Sequence, residues 1–174
     1  ATFDPCRPVR WVLRPDGGPA GGELLVRAAI ATVSAATGLR STFAGTTDEP
    51  PTEGRAQRQP ERYGSGPAPV LVAWSNAWET PELAGPQVGL GIAAWSGDRL
   101  VSGQVVLDAA ELVAADGSPT ALARPTVLHE LAHVVGLGHV DVGGSLLQPA
   151  VVPDERFAPG DLRGLRAVGG GACS

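Results

Sequence analysis

The chain has 174 residues, enough for one domain with a sizeable core. Its formal net charge is −5, and its thirteen basic residues are all arginine and dispersed, which argues against a nucleic-acid footprint. No apolar run approaches the ~20 residues a bilayer span needs, so neither nucleic acid nor membrane is expected as a partner.

The sequence opens at Ala1 without a targeting segment, which fits a mature secreted protein or one trimmed of its leader. Its richness in Ala, Gly, Pro, Arg and Val, with almost no Lys, Asn or Ile, points to a GC-rich bacterial genome. Residues 10–13 are apolar and partly β-branched and read as a first strand, followed by a Pro- and Gly-rich loop over 15–22. From 22 to 37, Leu24, Leu25, Ala28, Ala29, Val33 and Ala36 recur at helical spacing, and Gly38 is a stop. Residues 39–44 follow as a strand. The polar stretch 46–69 reads as a long surface loop, a length that marks it as functional or mobile.

Residues 69–75 are almost continuously apolar, as in a buried strand. Strands over 88–95 and 100–107 flank Ser96-Gly97-Asp98-Arg99 and form a hairpin, with Gly89 and Gly91 marking the first as the weaker, an edge. A second long helix spans 120–135. Residues 145–149 form a tight apolar turn, and a short helix over 161–168 closes the domain before Gly169.

The second helix carries the chemistry. All three histidines fall within 129–139, in the pattern H-E-x-x-H-x-x-G-x-x-H. On a helix, His129 and His133 share one face, so their rings can converge on one ion. Glu130 lies off that face and can take the proton of a water at the metal. Gly136 suits φ > 0, which ends the helix and turns the chain back to bring His139 up as third ligand. Three neutral imidazoles leave a fourth position open, the arrangement of a catalytic zinc. The competing reading is a plain buried helix of Val127, Leu128, Leu131, Val134 and Val135; Gly136 and His139 in register favour the metal.

Cys6 and Cys173 stand at opposite ends of the chain. Paired, they would close a loop of nearly the whole domain, which the chain-entropy model values at about 5 kcal/mol, and would imply an oxidising compartment. The alternative is two unrelated thiols.

With those residues in view, the chain resembles the metzincin superfamily of zinc endopeptidases, and the matrixins in particular, over residues 9–169. The zinc motif carries the resemblance. Leu146-Leu147-Gln148-Pro149 after the third histidine, Asp161-Leu162 in the closing helix and the order of elements join it. It implies one catalytic domain over 1–174 with an α+β, zincin-like fold: a twisted, mostly parallel five-stranded sheet and two long helices within about 1–138, and a small C-terminal lobe over about 139–174. It further implies a secreted, monomeric endopeptidase that cleaves polypeptides with a zinc-activated water, Glu130 acting as general base. Substrate would lie along the 88–95 edge at Gly91, Ile92 and Ala93, adding a strand. Pro149 and Val151 would wall a side-chain pocket.

The departures from the family are specific. Leu147 stands where the family has the methionine that floors the zinc site, and the chain has no methionine at all. Leucine is close in volume and should serve. Ala93 stands where a histidine would hold a second, structural zinc, so one zinc is expected. Asp108 and Glu111 resemble an acidic pair that helps bind calcium, or are two solvated carboxylates. Val140 replaces a favoured serine, and Pro149 stands in place of the tyrosine ligand of astacins. Cys6 as a zinc-blocking thiolate is disfavoured, because Asp4-Pro5-Cys6-Arg7-Pro8 does not match the inhibitory motif of latent matrixins. Two other functions stay open: a catalytically inactive, zinc-containing domain that binds peptides or proteins, and a zinc hydrolase of small amides. Glu130 argues against the first, because binding alone needs no base.

Overall fold

Short apolar runs assemble the sheet, and amphipathic helices cover it. In the computed structural model, which describes residues 1–151, 153 and 156–173, the strands are β1 (Val9–Arg14), β2 (Ser41–Thr46), β3 (Val70–Ser75), β4 (Gly89–Ser96) and β5 (Arg99–Asp108). They form one sheet in the order β2-β1-β3-β5-β4. Only β4 runs antiparallel, paired with β5 as a hairpin. The helices are α1 (Gly22–Thr37), the single turns α2 (Pro60–Tyr63) and α3 (Ala109–Leu112), α4 (Ala123–Val134) and α5 (Pro159–Gly169). The fold is thus α+β around a mostly parallel five-stranded sheet, as expected. No helix among the described residues is long and apolar enough to cross a membrane.

The main core lies between one sheet face and α1 with α4. Trp11, Leu13, Val72, Trp74, Val105 and Leu107 from the strands meet Val26, Ala29, Val33, Leu128 and Leu131 from the helices. The opposite face buries a smaller cluster of Val12, Leu71 and Ala73 against Tyr63. Every residue of β3 is therefore buried, which is why its sequence is an unbroken apolar run and not an alternation.

Three elements begin two or more residues away from the periodicity reading, and most other bounds shift by about one. β2 begins at Ser41, because Leu39 leaves the strand to fill the core, its N–H bonded to Thr37 Oγ1 after the left-handed turn at Gly38. α4 begins at Ala123, because Thr120 is held back by its N–H on Leu112 O and accepts from Ala123 N. α5 starts earlier, at Pro159, a residue preset for a first helical turn.

The 46–69 segment is pinned across the outer face of the sheet. Its anchor is Glu49, only 5% exposed. The carboxylate accepts from Arg55 Nε and Nη2 at 2.8 and 2.9 Å, from Tyr63 Oη at 2.6 Å and from Gln59 Nε2 at 2.5 Å. Burial alone would push Glu49 up, but the bonds from Arg55, Tyr63 and Gln59 outweigh it and hold the carboxyl below its ordinary value. Arg55 Nη1 also donates to Ser102 Oγ and Gly103 O, both at 3.1 Å, which clamps the segment to β5.

Candidate metal centre

α4 delivers His129 and His133 on one face, and its C-terminus delivers His139. The helix ends in a Schellman arrangement: Leu137 N–H bonds Ala132 O and Gly136 N–H bonds His133 O, both at 3.0 Å, with Gly136 at φ 110°. That turn reverses the chain and brings His139 back over the helix. Among the described residues, one ring nitrogen from each of His129, His133 and His139 lies within 4.8 Å of the others, a group that could hold a metal ion.

The hydrogen bonds fix the tautomers. His129 Nδ1 lies 2.7 Å from Leu146 O, and His133 Nδ1 lies 2.8 Å from Leu137 O. A carbonyl only accepts, so both Nδ1 atoms carry hydrogen and both Nε2 atoms of the neutral rings present lone pairs. Those two Nε2 atoms are 2.9 Å apart, and His139 Nε2 is 3.1 Å from that of His129. Facing lone pairs at this separation call for a positive charge between them. A proton is disfavoured there, because burial pushes His129 down to about 4 and also lowers His133. A metal cation fits the donor set, and the two carbonyls orient its ligands.

Beneath the histidines, Asp161 of α5 organises the turn 145–147. It is 4% exposed and accepts from Ser145 Oγ at 2.5 Å and from Leu146 N and Ala158 N at 2.9 Å. Leu146 then offers its carbonyl to His129, and Leu147 O accepts from Val140 N at 2.9 Å, beside His139. Asp161 therefore positions two of the three ligands through one buried turn. The resemblance singles out Asp161 only as part of the closing helix; the signal for its role is an acid two residues after a proline at the helix start. The Leu147 side chain is buried in this turn and contributes apolar packing.

Glu130 sits outside the group of ligands and is 5% exposed. Burial pushes its carboxyl up to about 8, with a smaller opposing pull from a hydrogen bond with the Gly91 backbone. It can thus hold or release a proton near neutrality.

The glycines of β4 explain how the strand comes so close. A Cβ on Gly91 would stand 2.4 Å from Glu130 O and 2.9 Å from His133 Cβ, and one on Gly89 would meet Thr126 Cγ2 at 2.8 Å. Bare backbone lets β4 lie directly against α4 at the turn that carries Glu130. Gly91→Ala should therefore cost about 1–3 kcal/mol, as overpacking does. At roughly 2–4 °C per kcal/mol, the melting midpoint should drop by several degrees. An unchanged midpoint would mean that the contact is not tight.

The remaining predicted residues are dispersed. Gly91 and Ala93 face α4 and the core, whereas Ile92 points to the opposite face and is exposed. Pro149 is exposed and Val151 half-buried. Asp108 is buried and caps α3, accepting from Ala110 N at 3.0 Å, while Glu111 is exposed. Cys6 and Cys173 are bonded, with Cα atoms 5.4 Å apart. Comparison with known protein families and with curated proteins finds no match for the chain.

Proposed function

We propose that the chain is a secreted, zinc-dependent endopeptidase of the metzincin kind, matrixin-like in its site. The observation that carries the reading is the pairing of three convergent imidazoles with a buried carboxyl, Glu130, next to the first of them in the chain and not one of the ligands. His129, His133 and His139 would hold the ion, and an all-imidazole set of three suits a zinc with room for substrate. Zinc held there supplies Lewis acidity toward the scissile carbonyl and the attacking water.

The chain's own groups do the rest. Glu130 takes the proton of the attacking water and returns it to the leaving amine as the C–N bond breaks. Leu146 O and Leu137 O keep two imidazoles in the tautomer that binds metal. The outer edge of β4 can accept an extended peptide by main-chain hydrogen bonds. The Cys6–Cys173 bond supports an oxidising, extracellular setting.

The test is digestion of a mixed peptide library by the zinc-loaded protein, with and without a chelator. Cleavage that stops with chelator and returns with zinc is expected. No cleavage of any peptide would sink the endopeptidase reading and leave a zinc-containing peptide-binding domain in its place. Elemental analysis of dialysed protein should give one zinc per chain, because the three histidines are all in one site; two tightly held ions would contradict this.

A further inference from the structure

At the end of the sheet where β1 and β5 begin, the surface holds a cavity of about 440 Å³. Its position follows from the strand register. Trp11 pairs with Val70 and Leu71 with Gln104, so β1 and β5 both begin ahead of β3. Pro67, Ala68 and Pro69 lead into β3 between them, and the N-terminal segment lines the rest with Phe3, Asp4 and Arg7. A concave space of this size is that of a ligand site and not of a flat patch.

The lining is cationic over an apolar base. Arg7, Arg10 and Arg99 come from three different segments and share the cavity with a single acid, Asp4. Arg7 is engaged with that acid, its Nε 3.5 Å from Asp4 Oδ2. The guanidinium groups of Arg10 and Arg99 have no hydrogen-bond or ion-pair partner among the described residues. Two unpaired cations in one cavity stand out on a chain whose net charge is −5. Around them, Pro8 and Pro67 are exposed and Val101 is half-buried, while Val9 and Leu100 are buried.

We propose that this cavity binds a short acidic peptide segment, two of whose carboxylates pair with Arg10 and Arg99 while an apolar side chain between them covers Pro8, Pro67 and Val101. Charge complementarity sets the sign of the ligand, and guanidinium pairs bidentately with a carboxylate. The apolar lining sets the body between the charges. The acidic net charge of the chain works against long polyanions and anionic membranes, which feel the whole molecule. A short segment feels only the two arginines, within a Debye length of about 10 Å. No lining residue is a metal ligand or Glu130, so the site goes beyond the hydrolytic reading and does not depend on it.

The test reads binding and not turnover. The full chain carrying Glu130→Gln, with zinc, is titrated calorimetrically with the blocked tetrapeptide Glu-Leu-Leu-Glu and with its Gln-Leu-Leu-Gln and Glu-Ser-Ser-Glu counterparts. The first should bind about tenfold more tightly than the uncharged peptide at low salt, the scale of two partly exposed ion pairs, and the gap should shrink in high salt. Arg10→Gln and Arg99→Gln should each weaken Glu-Leu-Leu-Glu about threefold to fivefold with the melting midpoint unchanged. Arg10 is exposed, so its variant reports even where Arg99→Gln disturbs the start of β5. Equal affinity for the Glu and Gln peptides, or affinity unchanged in both variants, overturns the site whether or not the parent cleaves peptides. Equal affinity for the Leu and Ser peptides, or displacement by inorganic phosphate at the same concentration, shows a bare anion site and overturns the peptide assignment. Binding to phosphatidylglycerol vesicles but to none of the peptides gives the arginines to a membrane surface and overturns it equally.

Discussion

Replacing Glu130 by alanine should lower peptide hydrolysis by ~10²–10⁴-fold, the usual contribution of a positioned base, while leaving zinc content unchanged. The two outcomes separate because of where the residue sits. Glu130 is on the helix of the ligands but outside their group, so all three imidazoles survive its removal. Its carboxyl is buried beside the first ligand in the chain, placed to take a proton from a water there and to return it. A variant that keeps its zinc and cleaves as fast as the parent would remove Glu130 from the mechanism.

The same burial gives a signature that needs no turnover. In protein stripped by a chelator, folding raises the Glu130 pKa, so the native state holds a proton that the unfolded chain releases. The resulting stabilisation is complete below ~4.3, the ordinary glutamate value, and is lost as pH rises to about 8. Glu130→Gln removes the titration. Melting of the stripped variant should therefore fall less steeply than that of the stripped parent across this window. His129, lowered by burial, acts in the opposite sense as pH falls below its ordinary value, and it does so in both proteins. Parallel melting curves from pH 4.5 to 8 would show that the carboxyl is not desolvated.

What could be read in the sequence was what one element encodes by itself. His129, Glu130, His133 and Gly136 belong to one helix and its end, so 3.6-residue geometry alone relates them. The α1 pattern is equally local, and its bounds 22–37 match the helix Gly22–Thr37. Partners from distant parts of the chain left weaker traces. Asp161 meets Leu146 and Ser145 only once α5 docks, and nothing in its neighbourhood names them. Gly89 and Gly91 were visible as interruptions of a strand, but an edge and a close helix approach leave the same mark. Their cause appears only with α4 in place. The 46–69 segment reads in sequence only as a long surface loop, functional or mobile, because its order comes from one buried carboxylate, Glu49, gathering Arg55, Gln59 and Tyr63 from further along the segment. Leu39 left β2 for the core although its apolar character suited either place.

Removing the Cys6–Cys173 bond should cost the domain more stability than any side-chain change considered above. The two cysteines are 167 residues apart, so the bond restricts almost the whole unfolded chain; the chain-entropy model gives about 5 kcal/mol, with 2–5 typical for loss of a native bond. In the folded protein the bond ties the N-terminal segment to the chain that follows α5. At the N-terminal end, Thr2 accepts from Leu100 N at 3.0 Å, Phe3 is in the core, and Arg40 donates to Cys6 O at 2.5 Å. At the C-terminal end the bond follows α5, which carries Asp161 and packs so closely on α1 that a Cβ on Gly169 would stand 1.8 Å from Thr37 O. Cys6→Ser with Cys173→Ser should therefore lower the melting midpoint by roughly 10 °C, at about 2–4 °C per kcal/mol for a domain of this size. Zinc affinity at low temperature should change little, because the ligands and the turn beneath them keep their hydrogen bonds. The unfolded, unreduced parent should show no free thiol in titration. Equal melting of the double variant and the parent would mean that the terminal contacts hold without the bond. Loss of zinc from the still-folded variant would instead show that α5 depends on the bond to keep Asp161 against Leu146.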